Sequence, residues 1–188
     1  IDAIRQGVKD NATELFHEPS PIVAGNPDGD VTMVEFFDYH CPYCKKVRDE
    51  LVKLINDDGK IRLVLKEFPI LTPESEMASR AAIAANEQGK YWPFHLALLG
   101  SDDLSEAAIF AIAKQVGIDV ERLKKDMGDP KVQKRLERNM KLADAMQVKA
   151  TPTFIIGTEP ASGAYPVDKL KEMVAAARKK QQASNEPR

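Results

Sequence analysis

The spacing of apolar residues changes several times along the chain, and each change marks an element. Residues 31 to 37, VTMVEFF, form a nearly unbroken apolar run after the turn-rich NPDGD, which predicts a buried strand. Val47, Leu51, Leu54 and Ile55 then recur at helical spacing, and the pattern stops near Asp57-Asp58-Gly59. A second apolar run, IRLVLKEF at residues 61 to 68, follows directly. Strand, helix and strand with short joins predict a parallel βαβ unit.

The period is helical from Pro69 onward. Thr72 can cap a helix with Pro73 in its first position, and Ser105 can open another that stops at Gly117. Asp119 caps a third, with Ile118 and Leu123 placed as a hydrophobic staple. Asp129 and Pro130 open a fourth, with Val132, Leu136, Met140 and Ala143 expected on its buried face. Residues 70 to 147 therefore predict an all-helical unit. Strand character returns at Thr153 to Ile156, where a TEPAS turn and a short run through Ala164-Tyr165 predict a hairpin. An amphipathic helix over 167 to 180 closes the pattern, and residues 181 to 188 are expected to be a solvated, disordered tail. Ile1, Ile4, Val8 and Leu15 give residues 1 to 16 a weak apolar stripe, too short for a stable coiled coil by itself.

Composition narrows the function classes. The 188 residues suit one domain carrying an insertion, with 43% hydrophobic residues for a core and 30% charged residues for a surface. No apolar run reaches the roughly 18 residues that span a bilayer. The net charge is −2 and basic residues are scattered, which points away from nucleic acid. The sequence from Ile1 does not read as a signal peptide, lacking a basic region followed by an apolar core, so the chain is expected to be either cytosolic or a mature secreted form.

Both cysteines fall in one window, FFDYHCPYCKKV. The preceding strand ends just before Cys41 and the helix begins just after it. Pro42 suits the first helical position, where a missing N–H is harmless. Cys41 is then the N-cap, with its sulfur toward the free N–H groups of Tyr43 and Cys44, and those donors with the helix dipole favour thiolate. Cys44, one turn deeper, is placed to resolve. A closed metal site needs further ligands, and His17, His40 and His95 have no paired spacing, although His40 beside Cys41 leaves copper(I) contact at Cys41 and Cys44 open. A staple across so short a loop would constrain little. Redox exchange is the favoured reading.

With CPYC at a strand-to-helix junction and TPTF before a late strand, the chain resembles the DsbA branch of the thioredoxin superfamily. The resemblance runs from Pro21 to Lys180 through VEFFDYHCPYCKKV, LVLKEFPIL, YWPFHLALL and KATPTFIIG. It is similar above all to the DsbA-like proteins of Gram-negative bacteria that include the ScsC (suppressor of copper sensitivity) group. The resemblance implies an α/β thioredoxin fold (βαβ…ββα) made of residues 21–69 and 148–180, with a helical insertion at 70–147. Residues 1–20 would be a helical segment or the remnant of an oligomerisation helix on a monomeric core. It also implies a periplasmic home, protein thiol substrates, a membrane redox partner and no cofactor. Pro152 after Thr151 would be a cis-proline opposite the cysteines, leaving the Thr151 backbone to pair with a substrate strand. Glu35 matches the acidic residue beneath the second cysteine; paired with Lys66 in the neighbouring strand, it is expected to move the Cys44 proton. His40 either stabilises the thiolate or ends the strand, and Tyr43 lines the substrate surface. Trp92, with Tyr91 and Phe94, is expected in the insertion core, and Asp38 and Tyr39 carry no assigned chemistry. The covalent steps leave oxidase, isomerase and reductase directions open, and a copper-binding role remains the alternative.

Overall fold

The computed structural model describes residues 1–185. Two short helices, α1 (Asp2–Asp10) and α2 (Ala12–Phe16), precede an edge strand β1 (Val23–Gly25) that the apolar pattern does not signal. Then come β2 (Val31–Phe37), α3 (Pro42–Asp58) and β3 (Ile61–Glu67). Five helices follow: α4 (Pro73–Ala85), α5 (Tyr91–Leu99), α6 (Glu106–Gln115), α7 (Val120–Met127) and α8 (Pro130–Ala145). The chain closes with β4 (Thr153–Ile156), β5 (Glu159–Ser162) and α9 (Val167–Asn185). The sheet order is β1-β3-β2-β4-β5; β2 and β3 run parallel and the other neighbours antiparallel.

The capping chemistry forms as spaced. Thr72, Ser105 and Asp119 accept from the N–H of the residue three positions on, and Asp129 from Lys131 N. Such caps are each worth about 1 kcal/mol. Ile118 and Leu123 are both buried, as the staple requires.

Pleat parity divides the buried residues between two faces of the sheet. On one, Val31, Met33 and Phe37 of β2 join Ile61, Leu63 and Leu65 of β3 under α3, α9 and the insertion. On the other, Val34, Phe36, Val64 and Ile155 pack with Ile4, Val8, Leu15, Leu142 and Met146. The apolar stripe of the N-terminal segment is thus spent within the chain: Val8 and Leu15 are buried, and only Ile1 is exposed. Gly7 allows this approach, because a Cβ there would lie 2.5 Å from Met146 Cα.

Three expectations change. The hairpin turn is Gly157-Thr158 rather than TEPAS, with Gly157 at φ 59°, and Glu159–Ser162 is strand. Pro160 looks like a turn residue but is tolerated because β5 is an edge. On α8, Met140 is 38% exposed and Asn139 is buried in its place. At 100° per residue Met140 has rotated about 80° from Val132, whereas Asn139 lies about 20° from it. The last helix also continues through residues 181–185, and the rest of the expected tail lies outside the described residues.

Candidate functional site

Cys41 caps α3 with extended backbone, φ −69° and ψ 115°, and Pro42 occupies the first turn. Its sulfur makes no cap hydrogen bond; instead Sγ donates to the Thr151 carbonyl at 3.2 Å. The Thr151–Pro152 peptide is cis, and Pro152 is buried. Antiparallel pairing of β4 with β2, Phe36 opposite Thr153, brings this corner to the cysteine end of the sheet. Cys41 is 3% exposed and Cys44 0%, while Tyr43 between them is 59% exposed.

The two thiols differ sharply in acidity. A hydrogen bond from the Cys44 thiol does most to draw Cys41 down to about 6. Burial opposes that, while the Thr151 side chain and the nearby N–H groups of Cys44 and Tyr43, which lie outside cap hydrogen-bond geometry, draw it down further. Cys44 is pushed far above the ordinary thiol range by burial first, then by its bond to Cys41 and the charge of Glu35. Cys41 can ionise near neutrality, whereas Cys44 needs a base.

Glu35 is that candidate base. It is 2% exposed and lines, with Cys44, a cavity of about 10 Å³. Burial raises its pKa to about 8, helped by the negative charges of Cys41 and Glu67. Lys66 does not assist it. Register sets Glu35 opposite Leu65 and Lys66 opposite Phe36, so the two charges point to opposite faces of the sheet. Lys66 instead bonds Glu18 at 2.5 Å on the far face, which corrects the expected Glu35–Lys66 pair.

His40 makes no hydrogen bond to either thiol among the described residues. Its Nδ1 meets Thr72 Oγ1 at 3.0 Å, and its N–H donates to Asp38 Oδ1 at 2.8 Å. Asp38 is the residue that sequence reasoning missed here. Fully buried, it also accepts from Ser75 Oγ at 2.7 Å and from the N–H groups of Ile70 and Leu71 at 2.8 and 3.0 Å. It thereby ties the cysteine loop to the entry of the insertion. A carboxylate directly after a buried strand and ahead of the cysteines was the available signal. The consequence is an apolar rim: Tyr43, Ile70 (37% exposed) and Leu71 (49%) are exposed beside the cysteine loop. From the insertion, Tyr91 and Phe94 are core, and Trp92 is half-buried and stacked on His95 at 5.4 Å. Among the described residues, no three His, Cys, Asp or Glu side chains cluster as a metal site.

An acidic N-cap thiol, a buried second thiol one turn below it and a carboxyl beneath that thiol are the groups that thiol–disulfide exchange needs, set here on a thioredoxin fold. The chain belongs to the family described as Thioredoxin, whose sequence profile matches residues 17–176. Among solved structures it is similar to a thioredoxin-like oxidoreductase from Silicibacter pomeroyi DSS-3. The two are 42% identical with a TM-score of 0.87, over 90% of this chain and 98% of that one. It is also similar to the thiol-disulfide exchange protein alpha-DsbA2 from Wolbachia pipientis, at 28% identity and TM-score 0.86, over 93% and 96%. The catalytic domain of Proteus mirabilis ScsC shares the fold at 24% identity and TM-score 0.84, over 93% and 98%. A curated relative, Na(+)/H(+) antiporter NhaA 3 of Salinispora tropica, is 31% identical over 88% of this chain and 26% of its own length. The chain thus spans about a quarter of that protein. Among the described residues no helix is long and apolar enough to cross a membrane.

Proposed function

We propose that the protein is a periplasmic thiol–disulfide oxidoreductase of the DsbA type, exchanging disulfides with protein substrates through Cys41 and Cys44. The observation that carries this is geometric: Cys41 at the N-cap of α3 with its sulfur 3.2 Å from the Thr151 carbonyl, and Cys44 fully buried one turn below beside Glu35; the opposite acidities of the two thiols follow from it. In the oxidative direction a substrate thiolate attacks Cys41 of the Cys41–Cys44 disulfide, and Cys44 leaves as a thiolate that takes up a proton. A second substrate thiolate then attacks the substrate sulfur of the mixed disulfide. Oxidised substrate departs and Cys41 is left as thiolate. Because the fold stabilises that thiolate, it stabilises the reduced pair, and the disulfide is correspondingly oxidising.

In the reverse exchange, reduced Cys41 opens a substrate disulfide and Cys44 must deprotonate to release the substrate. Glu35 is suited to this moment. The Cys41 charge helps hold its proton in the reduced state. Formation of the mixed disulfide removes that charge and lowers the Glu35 pKa, so more of the carboxyl is ionised and free to take the Cys44 proton at the step that needs a base. The Thr151 backbone beside Cys41 offers an edge for an extended peptide, and Tyr43, Ile70 and Leu71 offer apolar contact to an unfolded one. An oxidising compartment and a membrane redox partner that recycles the pair complete the reading.

The test is alkylation of reduced Cys41 from pH 4 to 10, together with oxidation of reduced RNase. A reactivity midpoint about 6 and catalysed oxidation support the proposal. A midpoint at the free-thiol value would overturn it.

A further inference from the structure

Several buried groups on the insertion face take no part in the chemistry above. Glu67, the last residue of β3, is fully buried. Its Oε1 accepts from Tyr39 Oη at 3.1 Å and Tyr91 Oη at 2.6 Å, and its Oε2 accepts from Ser79 Oγ at 2.7 Å. Tyr39 Oη also meets His95 Nδ1 at 3.0 Å. His95 is 2% exposed, edge-on to Phe37 and stacked with Tyr91 and Trp92. The same His95 lines the cavity shared by Glu35 and Cys44. A continuous line, Glu67–Tyr39–His95, therefore ends where the resolving thiol meets its base.

The direction of this line follows from counting hydrogens. With Glu67 ionised, Tyr39 donates its only hydroxyl hydrogen to the carboxylate and must accept from His95 Nδ1–H, which leaves Nε2 an acceptor. With Oε1 protonated the line reverses, Tyr39 donates to Nδ1 and Nε2 carries the hydrogen. Burial pulls the His95 pKa down to about 3, so the ring is neutral in both arrangements. The cavity of about 10 Å³ is at the lower limit for one water. Its polar lining is Glu35, Cys44, Arg48 and His95, and Glu35 has no side-chain hydrogen bond among the described residues. A water there would find the two to four polar partners that a buried water needs.

Given the exchange reaction proposed above, we infer that His95 is a positioning residue: fixed by Tyr39 and Glu67, it holds through Nε2 a cavity water that carries the Cys44 proton to Glu35. The proton leaves Cys44 Sγ for the water oxygen as a water hydrogen passes to the Glu35 carboxylate. The Cys44 electron pair then forms the bond to Cys41 sulfur, and the Cys41–substrate bond breaks with its pair leaving on the substrate thiolate. The titratable and charged groups facing Glu35 are Cys44 and Arg48 from α3, Cys41 at its cap, Tyr91 and His95 from α5 and Glu67 from β3.

The experiment loads Cys41 with 5-thio-2-nitrobenzoate as a mixed disulfide and follows its release by Cys44 from pH 5 to 10. Tyr39→Phe and His95→Leu should slow release at pH 7 about tenfold, a small part of the roughly 10²–10⁴ that general acid–base catalysis supplies. Both should move the rising limb of the profile to higher pH. His95→Gln, which keeps a hydrogen-bonding amide, should recover part of the rate, and the Cys41 alkylation midpoint should stay in place in all three. Unchanged release in Tyr39→Phe overturns the inference, as does an equal shift of the Cys41 midpoint, which would mark general distortion. Tyr39→Phe removes one oxygen, so it decides the matter even if His95→Leu fails to fold. Wild-type protein that never releases the probe would instead sink the exchange reaction itself, and this inference with it.

Discussion

The two faces of the sheet treat buried charge in opposite ways. On the N-terminal face, Lys66 and Glu18, each 1% exposed, meet at 2.5 Å, with Arg138 3.9 Å from the second Glu18 oxygen. On the insertion face, Glu35 and Glu67 are buried and neither forms an ion pair among the described residues; both are raised to about 8, chiefly by burial. The first arrangement fixes an N-terminal segment to the sheet. The second leaves two carboxyls that bind protons near neutral pH, one of them beneath the cysteines. A charge with its counter-ion is an anchor, whereas a buried carboxyl without one is a proton store.

The largest expected effect comes from unbalancing the anchor. Lys66→Met should lower unfolding free energy by about 3–5 kcal/mol, because Glu18 is left buried and unpaired. The double change Lys66→Met with Glu18→Leu should regain most of it in urea melts. A Lys66→Met protein as stable as wild type would remove the anchor from the comparison. Next, Glu35→Gln should slow Cys44 release of a mixed disulfide by about 10²-fold, the lower end for a general base, while leaving stability equal or higher. Loss of stability without loss of rate would make Glu35 another anchor.

A smaller effect separates the faces by pH. Glu67 holds a proton in the folded state up to about 8, whereas the unfolded carboxyl loses it near 4.5. The stability this gives is complete below pH 4.5 and is lost as pH rises toward 8, with a slope of at most ~1.4 kcal/mol per pH unit. Wild-type stability measured relative to Glu67→Gln should therefore fall across that window, and a flat difference would contradict an unpaired Glu67. Smallest of all, Glu14→Gln at the 37% exposed edge of the anchor should change stability by no more than about 1 kcal/mol, despite its bond to Arg138. A cost as large as that of Lys66→Met would show that the whole network acts as one buried unit.

Much of the site can be read from short spacings. Cys41 at a strand end, Pro42 at the first helical position and Cys44 one turn below are consequences of three adjacent residues and helix geometry. The same holds for the caps at Thr72, Ser105, Asp119 and Asp129. Pairing between strands cannot be read that way. Glu35 and Lys66 each interrupt an apolar strand, and a register shifted by one residue would have placed them on one face; the observed register does not. Nor does spacing reveal the line from Glu67 through Tyr39 to His95, whose members come from β3, the cysteine loop and α5. Their sequence signals are a carboxyl at the end of an apolar strand and an imidazole within the apolar YWPFHLALL.

Taken alone, the chain's residues determine where helices begin and end, which segments are strands, and which thiol sits at a helix terminus, because those outcomes depend on neighbours within about one turn. Which buried carboxyl keeps its proton and which is neutralised by a lysine depended on how strands aligned and what packed above them. Desolvation and Coulomb interaction act through space, so only the folded arrangement could separate the protonated carboxyl beneath Cys44 from the anchor behind it.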